Sequence, residues 1–346
     1  MRSDRGVPTR VHRSAQVEDS IDALVERVLR RRGWRVRVLP YTMYGTDGWV
    51  RVLARVLLTP PGTPRRDLET GRGWRRFVSA PVSGVEVTVI IGGRVHEVVS
   101  GRGGYIDATV PAELDPGWTT VRVSAEGSPP AQAPLRVVGP GPGIGVVCDV
   151  DDTIMITALP RPLLAFWNTF VRHETTRRAV PGMAQFLRTL LASADNSFIA
   201  YLSTGAWNVA PAIESFLTRQ RFPPGPLLLT DWGPTTEGWF RSGREHKRKE
   251  LTRLITDLPQ LTWVLVGDDG QHDPELYDEA AAAAPGKVRA VAIRQLTPAE
   301  QVLTHGTPEP LSELPWAPER PVLSVRMLRA SDGCGLQAAF EQGRLL

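Results

Sequence analysis

The chain has 346 residues, which is enough for about two domains. It is 42% hydrophobic and 23% charged, and its 32 glycines and 30 prolines follow no period, so collagen-like and wholly disordered chains are excluded. The net charge is +4, from 41 basic and 37 acidic residues, and a nucleic-acid binder is not expected because such proteins carry a larger, clustered basic excess.

The N-terminal stretch predicts a disordered arm followed by one helix. Residues 1–16 are polar and rich in arginine, without the apolar core of a signal peptide. Over residues 17–33 apolar side chains recur at helical spacing, with acidic residues early and arginines late, as the helix dipole favours. Two cysteines, Cys148 and Cys334, are too few for a disulfide framework, and no stretch approaches the about 18 apolar residues of a membrane span. We therefore expect a reduced, cytoplasmic protein.

A period of two replaces the helical spacing over residues 34–138. Turn signals such as PPG, SGRGG and DPG separate seven segments in which apolar and polar residues alternate: VRVLPY, WVRVLARVLL, GVEVTVII, GRVHEVVS, YIDATV, TTVRVSA and APLRVVG. This pattern predicts an antiparallel β-sandwich domain. Its segment GRVHEVVSGRGGYIDATVP resembles a hairpin of transthyretin-like sandwiches. Because the region holds no cluster of catalytic residue types, we expect a structural or docking role for it.

The pattern changes again after a linker of alternating glycine and proline at residues 139–143. Over residues 144–297, fully apolar runs such as IGVVC, FIAYL and WVLVG alternate with helical stretches. Apolar strands that alternate with helices predict a Rossmann-like α/β domain whose parallel sheet is covered on both faces. Residues 298–346 contain several prolines and no clear period, and we interpret them as a partly ordered tail.

Polar side chains follow three of these predicted parallel strands. In an open α/β sheet, ligands bind beyond the carboxyl ends of the strands, so these residues and the lysines of a nearby helix are the candidates for a site. They are Asp149, Asp151, Asp152 and Thr153 after the first strand, Ser203 and Thr204 after the second, Asp268, Asp269 and Asp273 after a later one, and Lys247 and Lys249 between the last two groups.

Several carboxylates in one cleft repel one another unless a cation neutralises them, and a hard cation such as Mg²⁺ prefers oxygen ligands. A lysine and a hydroxyl group beside such a metal suit a dianionic phosphoryl group. One carboxylate is then able to attack phosphorus, while a second protonates the leaving oxygen and later activates water. The residues alone therefore indicate a phosphomonoester as the substrate.

The order of these motifs resembles that of the haloacid dehalogenase superfamily of aspartate-nucleophile phosphatases. The segments CDVDDTI, YLSTGAW, HKRKELTRLI and VLVGDDGQHDPELY are similar to the catalytic domain of the actin-patch-associated, lipin-like phosphatidate phosphatases. The resemblance covers about residues 144–295, and the segment PYTMYGTDGWVRVLARVL is similar to the one that precedes this domain in bacterial relatives. It implies a Mg²⁺-dependent reaction that converts phosphatidate to diacylglycerol through an aspartyl-phosphate.

The resemblance also implies a role for each matching position. Asp149 would be the nucleophile and a metal ligand, and Asp151 would be the general acid and base, with its backbone carbonyl reaching the metal. Asp268 would complete the metal shell, with Asp273 as an auxiliary ligand, and Thr153 would support the loop. Ser203, Thr204 and Lys247 would bind the phosphate. Lys247 is favoured over its rival Lys249 because it follows His246, as in the family's HK pair.

Some of these positions have simpler interpretations or depart from the family pattern. Asp152 is expected to cap a loop or helix, and His246 and His272 to be structural or exposed, because the mechanism needs no imidazole. Asp269 replaces the serine of the usual GDSGQ, and it either tightens Mg²⁺ binding or faces solvent. Ser-Thr-Gly at residues 203–205 replaces the more usual Ser-Asn-Ser.

Residues 159–180 lie where the superfamily carries its substrate-selecting cap, and they mix large apolar side chains with four arginines. They are interpreted either as a helix packed on the sheet or as a lip that contacts a lipid phosphate or an anionic membrane surface. The alternatives to phosphatidate hydrolysis are a phosphatase of a soluble metabolite or phosphoprotein, and a non-catalytic module that binds a lipid or a partner.

Overall fold

The computed structural model describes residues 25–63, 79–156, 178–230, 239–270, 272–305 and 325–345. The predicted arm over residues 1–16 lies outside them, as does most of the predicted cap segment. Of the helix predicted over 17–33, residues 25–31 are helical.

Nine strands form the N-terminal unit within its described residues. They are β1 (Arg35–Pro40), β2 (Met43–Thr46), β3 (Trp49–Thr59), β4 (Ala80–Pro81), β5 (Glu86–Ile91), β6 (Arg94–Val99), β7 (Tyr105–Pro111), β8 (Gly117–Ala125) and β9 (Ala131–Val138). They are hydrogen-bonded in the order β1-β3-β2-β9-β8-β5-β6, with β4 and β7 also paired to the long β3. The pairing is antiparallel except between β2 and β9, which run parallel.

The alternation in the sequence explains these strands, because successive side chains of a strand point to opposite faces. In β5, for example, Val87, Val89 and Ile91 are buried, and the residues between them are more exposed. Twenty-two buried apolar side chains of this unit form a core of their own. The fold class predicted for the region is confirmed, with the parallel β2–β9 pair as a departure from a purely antiparallel sheet.

The second unit is α/β, as predicted. Its strands are β10 (Gly143–Asp149), β11 (Ser197–Ala206), β12 (Leu227–Thr230), β13 (Leu261–Asp268), β14 (Val288–Arg294) and β15 (Arg326–Ala330). Its helices are α1 (Met183–Ala192), α2 (Ala210–Arg219), α3 (Trp239–Asp257), α4 (Asp273–Ala283), α5 (Pro298–His305) and α6 (Gly333–Gln342). The strands pair in the order β12-β11-β10-β13-β14-β15, and every pair is parallel.

The C-terminal residues differ from the expected tail. Within residues 298–346, β15 joins β14 as the sixth strand of the parallel sheet, and α6 packs Phe340 against Phe186 of α1 with ring centroids 5.1 Å apart. The sequence concealed this strand because RMLRA is short and carries two arginines, unlike the continuous apolar runs of the central strands. The α/β unit therefore extends past residue 297.

The two units share part of one core. Tyr41, Tyr44 and Leu53 of the N-terminal unit belong to the same buried cluster as the α/β core. The ring of Tyr41 stacks on that of Trp207 with centroids 4.4 Å apart. The glycine-proline linker is held in place as well, because the Asn196 side chain makes three hydrogen bonds to the backbone of Gly139 and Gly141. The N-terminal unit is thus packed on the α/β unit rather than tethered to it.

Candidate functional site

Three neighbouring parallel strands bring the candidate residues to one edge of the sheet. Asp149 is the last residue of β10, Asp268 is the last residue of β13, and Ser203 lies near the end of β11. Because β10 pairs with both β11 and β13 in parallel register, the three residues come together at the carboxyl edge, where ligands bind in such sheets.

Asp149, Asp268 and Asp273 form a compact carboxylate cluster. Each offers an oxygen that lies within 4.8 Å of the others, and all three residues are buried. Lys247 of α3 closes the cluster, because its Nζ lies 2.7 Å from Asp149 Oδ1 and 2.6 Å from Asp273 Oδ1. One buried ammonium group therefore faces three buried carboxyl groups.

The cluster carries more negative charge than its single lysine neutralises. Burial raises the pKa of Asp149 to about 8, and the charges of Asp273 and Asp151 add to this rise, although the Lys247 ammonium opposes it. Burial, with the charges of Asp273 and Asp149, likewise raises the pKa of Asp268 well above its usual range. For Lys247, burial alone would lower the pKa, but Asp149 and Asp273 raise it on balance, so this amine stays protonated.

The loop after β10 presents Asp151 to Ser203. The Ser203 hydroxyl donates to Asp151 Oδ2 at 3.0 Å and accepts the Gly205 backbone N–H at 3.0 Å. Thr153 of the same loop donates to Asp268 Oδ2 at 3.3 Å, which ties the loop to the end of β13. Ser203 thus orients the side chain that is the candidate acid and base.

Asp152 gives this loop its sharp turn. Its φ of 58° lies in the left-handed region, which asparagine and aspartate tolerate better than most residues. Its backbone N–H donates to Met155 O at 3.0 Å, and its carbonyl accepts from Arg294 at 2.6 Å. In the structure Asp152 therefore takes part in shaping the loop, in line with the loop role expected for it.

The start of α4 places Asp273. The helix begins at Asp273 with Pro274 in its first turn, and it packs so closely on β13 that a Cβ on Gly267 would lie 2.6 Å from Asp273 Oδ2. Only glycine permits this approach. His272 precedes the helix and is exposed.

The two candidate lysines of α3 lie in different surroundings. Lys247 is 4% exposed and reaches the carboxylates, whereas Lys249 is exposed and borders a cavity between the two units. His246 is half-buried, its Nε2 lies 3.5 Å from Leu228 O, and burial lowers its pKa. The geometry therefore favours Lys247 as the lysine of the site.

The residues present fit a magnesium ion. Among the described residues, Asp273 Oδ2 is a buried carboxylate oxygen without a hydrogen-bond partner. Oxygen ligands are those that Mg²⁺ prefers, and a cation would relieve the repulsion that raises the pKa values of Asp149 and Asp268. Of the four predicted ligands, three gather in the cluster, while the Asp151 carboxylate turns to Ser203.

Two other predicted positions lie to the side of the cluster. Asp269 is buried, and its Oδ1 accepts the Leu296 backbone N–H at 2.8 Å, so it supports the loop after β14 and is not exposed to solvent. Thr204 is half-buried and its methyl group faces Gly243 of α3, while its carbonyl accepts from Thr230. Cys148, buried beneath Asp149, has its thiol pKa raised by burial.

The sequence interpretation missed Arg294. This buried side chain donates to Asp152 O at 2.6 Å, to Glu300 Oε1 at 2.7 Å and to Ser331 O at 3.2 Å, so it holds the loop after β10 against the C-terminal part of the sheet. The sequence did contain a signal for it, because Arg294 is the last residue of the apolar run KVRAVAIR. Residues at the carboxyl ends of parallel strands are site candidates, and the same rule located the aspartates.

No helix among the described residues is long and apolar enough to cross a membrane. Most of the apolar and basic segment predicted as a cap lies outside the described residues.

Comparisons with known proteins agree with the motifs. Residues 144–295 match the family model described as "Phosphatidate phosphatase APP1, catalytic domain". The chain is 28% identical over 162 residues to Phosphatidate phosphatase APP1 of Saccharomyces cerevisiae, a match that covers 46% of this chain and 27% of the relative. It is 23% identical over 155 residues to an uncharacterized protein of Schizosaccharomyces pombe, covering 44% of this chain and 25% of that protein. The resemblance indicated by the sequence is thus confirmed.

The chain spans about a quarter of the length of these curated relatives. Among solved structures, it is similar to a haloacid dehalogenase-like hydrolase from Burkholderia xenovorans LB400, with 15% identity and a TM-score of 0.35, over 59% of this chain and all of that one.

Proposed function

We propose that this protein is a Mg²⁺-dependent phosphatase that hydrolyses phosphomonoesters through an aspartyl-phosphate on Asp149. One observation carries the proposal: Asp149 presents one buried oxygen to Lys247 and leaves the other without a hydrogen-bond partner among the described residues. An oxygen held in this way suits attack on phosphorus, because its orientation is fixed while its lone pairs are free.

In the first step Asp149 Oδ2 forms a bond to phosphorus, and the bond from phosphorus to the ester oxygen breaks. Asp151 gives its proton to the leaving oxygen, which departs as an alcohol. In the second step the Asp151 carboxylate takes a proton from water, the oxygen of that water bonds to phosphorus, and the aspartyl bond breaks. Inorganic phosphate leaves, and Asp149 and Asp151 return to their starting states.

The other residues of the site support these two steps. Ser203 keeps Asp151 oriented by its hydrogen bond of 3.0 Å, and Asp151 Oδ1, which has no partner among the described residues, remains available for proton transfer. Lys247 holds its positive charge beside Asp149 and offsets the charge that the phosphoryl group brings. The Lys247 contact supports its assigned role, while the phosphate contact assigned to Ser203 stays a prediction, because its hydroxyl donates here to Asp151.

Asp149, Asp268 and Asp273 would hold the magnesium ion, and we keep the Asp151 backbone carbonyl in the proposed ligand set. When bound, the ion supplies positive charge that draws the phosphoryl oxygens into the site and lowers the repulsion among the carboxylates.

Phosphatidate is the substrate that we propose, with diacylglycerol as the product. The family match and the name of the yeast relative support it. We also propose a cytoplasmic location and peripheral contact with an anionic membrane, since phosphatidate lies in bilayers. A soluble phosphomonoester is the competing substrate, because the chemistry of the site requires only the phosphoryl group.

The test is phosphate release by the purified chain with Mg²⁺, from phosphatidate in vesicles and, in parallel, from water-soluble phosphomonoesters. Turnover of phosphatidate that the Asp149→Asn variant lacks supports the whole proposal. Turnover of soluble esters alone would overturn phosphatidate as the substrate, but it would still support the proposed phosphatase activity. No turnover of any ester in the presence of Mg²⁺ would refute the catalytic proposal and favour a binding module.

A further inference from the structure

An ion-pair cluster around a buried arginine joins the N-terminal unit to the helix that carries Lys247. Arg51 of β3 is 2% exposed, and its guanidinium group lies between two carboxylates. It donates to both oxygens of Asp107 on β7, at 2.7 and 2.6 Å, and to both oxygens of Glu250 on α3, at 2.7 and 3.2 Å. We call these three residues the Arg51 clamp.

The clamp fixes the rotation of α3 close to Lys247. Glu250 follows Lys247 by three residues, and side chains at this spacing lie next to each other on one side of a helix. One turn further on, Arg253 donates to Asp107 at 3.3 Å and to Thr109 Oγ1 at 3.2 Å, so one turn of α3 is held by Arg51 of β3 and the next by β7.

The remaining contacts of α3 are of a different kind. Leu251 and Leu254 pack into the α/β core, and on another side Arg244 and Arg248 pair with Glu279 of α4 through side chains that are 35–48% exposed. Next to the clamp a cavity of about 190 Å³ separates the units, lined by Trp207, Tyr105 and Lys249 among others. Ion pairs, rather than close packing, therefore connect α3 to β7 here.

We propose that Arg51 is a positioning residue, which holds α3 through Glu250 so that the Lys247 ammonium stays between Asp149 and Asp273. This assigns the N-terminal unit a part in building the phosphatase site, where the sequence indicated only a structural or docking domain. The inference rests on the proposed function for its kinetic consequences. The position of Lys247 does not depend on the proposed function, and it can be measured without an activity assay.

The variants are Arg51→Met, Glu250→Gln and Arg51→Lys, with Arg136→Met as the matched control. Arg136 also joins the two units, through hydrogen bonds of 3.2 and 2.8 Å to Ser197 O, but it does so at the opposite, amino-terminal edge of the parallel sheet. It therefore reports on the general effect of weakening the contact between the units.

Breaking the clamp should lower kcat by about 10- to 100-fold, because displacement of a group by 1 Å is enough to cause such losses. KM should change less, and Arg51→Lys should restore part of kcat. Arg136→Met should lower Tm but leave kcat within about twofold of wild type. If Arg51→Met does not fold, Glu250→Gln takes its place as the test. This substitution removes the charge that pairs with Arg51 and keeps the size of the Glu250 side chain.

Two further readouts separate positioning from stability. In a Lys247→Met background, Arg51→Met should lower the residual kcat by less than about twofold, since residues that act through one group are not additive. The chain has only three lysines, so labelling with ¹⁵N-lysine gives three backbone signals. Arg51→Met should shift the Lys247 signal and leave that of Lys287 in place, and Arg136→Met should shift neither.

The outcomes are distinct. An unmoved Lys247 signal in a folded clamp variant, or a loss of kcat equal in the two backgrounds, would overturn the positioning role. If wild type hydrolyses no phosphomonoester, the proposed function fails, and the spectra still decide whether the clamp positions Lys247.

Discussion

The Nζ of Lys247 lies 2.7 Å from Oδ1 of Asp149, and both residues are almost wholly buried. In so apolar a position each charge depends on the other, because an isolated buried charge is costly. The pair fixes the carboxylate, whose second oxygen is buried and has no hydrogen-bond partner among the described residues. The proposed chemistry and the local electrostatics both depend on this contact.

Asp149→Asn should abolish turnover, because an amide oxygen does not form the covalent intermediate. The fold should survive, since asparagine has nearly the same shape and its carbonyl still accepts from Lys247. Phosphate release and circular dichroism measure the two effects. Asp195→Asn, at an exposed position in the loop after α1, is the matched control and should retain full activity. Substantial activity in Asp149→Asn would remove this residue as the nucleophile.

The two lysines of α3 give a second test. Lys247→Met should lower kcat by about 10²-fold or more, because it removes the charge beside the transferred phosphoryl group. Lys249→Met should leave kcat nearly unchanged, because Lys249 is exposed and borders the cavity between the units. Steady-state kinetics of the two variants decide between them, and an equal loss in both would contradict the assignment.

Much of the site could be predicted because it depends on a topological rule. Residues after apolar parallel strands meet at one edge of the sheet, so the sequence alone is enough to group Asp149, Ser203 and Asp268. Their roles came from the order of the motifs, and they stay predictions. Asp273 and Lys247 lie on helices and were grouped with them by their order in the chain, whereas the choice of Lys247 over Lys249 came from the resemblance.

The contacts that the sequence did not reveal are long-range. The pairing of Arg51 with Glu250 joins positions 199 residues apart, and nothing in the local pattern of either segment marks it. The strand β15 was not predicted because it lies at the edge of the sheet, where its short sequence RMLRA is only partly buried and carries two arginines. Local periodicity reports burial on a face and does not identify the partner that covers it.

Magnesium affinity should rise with pH. Because the pKa of Asp149 is raised to about 8, this carboxyl group is mostly protonated in the metal-free protein at pH 6, and Mg²⁺ must displace the proton. The apparent affinity should therefore increase from pH 6 to about 8, and Asp268, whose pKa is raised as well, adds to the increase. Isothermal titration in two buffers of different ionisation enthalpy measures both the affinity and the proton release. In Asp149→Asn the pH dependence should be smaller, and an unchanged dependence would contradict this explanation.

Asp269 is expected to affect stability more than metal binding. Its Oδ1 accepts the Leu296 backbone N–H at 2.8 Å, so Asp269→Ala should lower the free energy of unfolding by about 1–3 kcal/mol. The Mg²⁺ affinity should stay within a few-fold of wild type, because Asp269 is not part of the carboxylate cluster. Thermal unfolding and metal titration give the two values, with Asp268→Ala as the comparison that should lose metal binding. A large loss of affinity in Asp269→Ala would make this residue a ligand.

Gly267 sets how closely α4 approaches the site. An alanine Cβ at this position would lie 2.6 Å from Asp273 Oδ2 and 2.8 Å from both Asp273 Cβ and the Tyr277 ring, closer than real atoms allow. Gly267→Ala should therefore push Asp273 away from Lys247 and lower both Tm and Mg²⁺ affinity. Gly48→Ala is the matched control, because its Cβ would meet no atom within 4 Å and its φ is not positive. If Gly267→Ala bound Mg²⁺ as tightly as wild type, Asp273 would not be needed as a ligand, since the substitution moves that side chain directly.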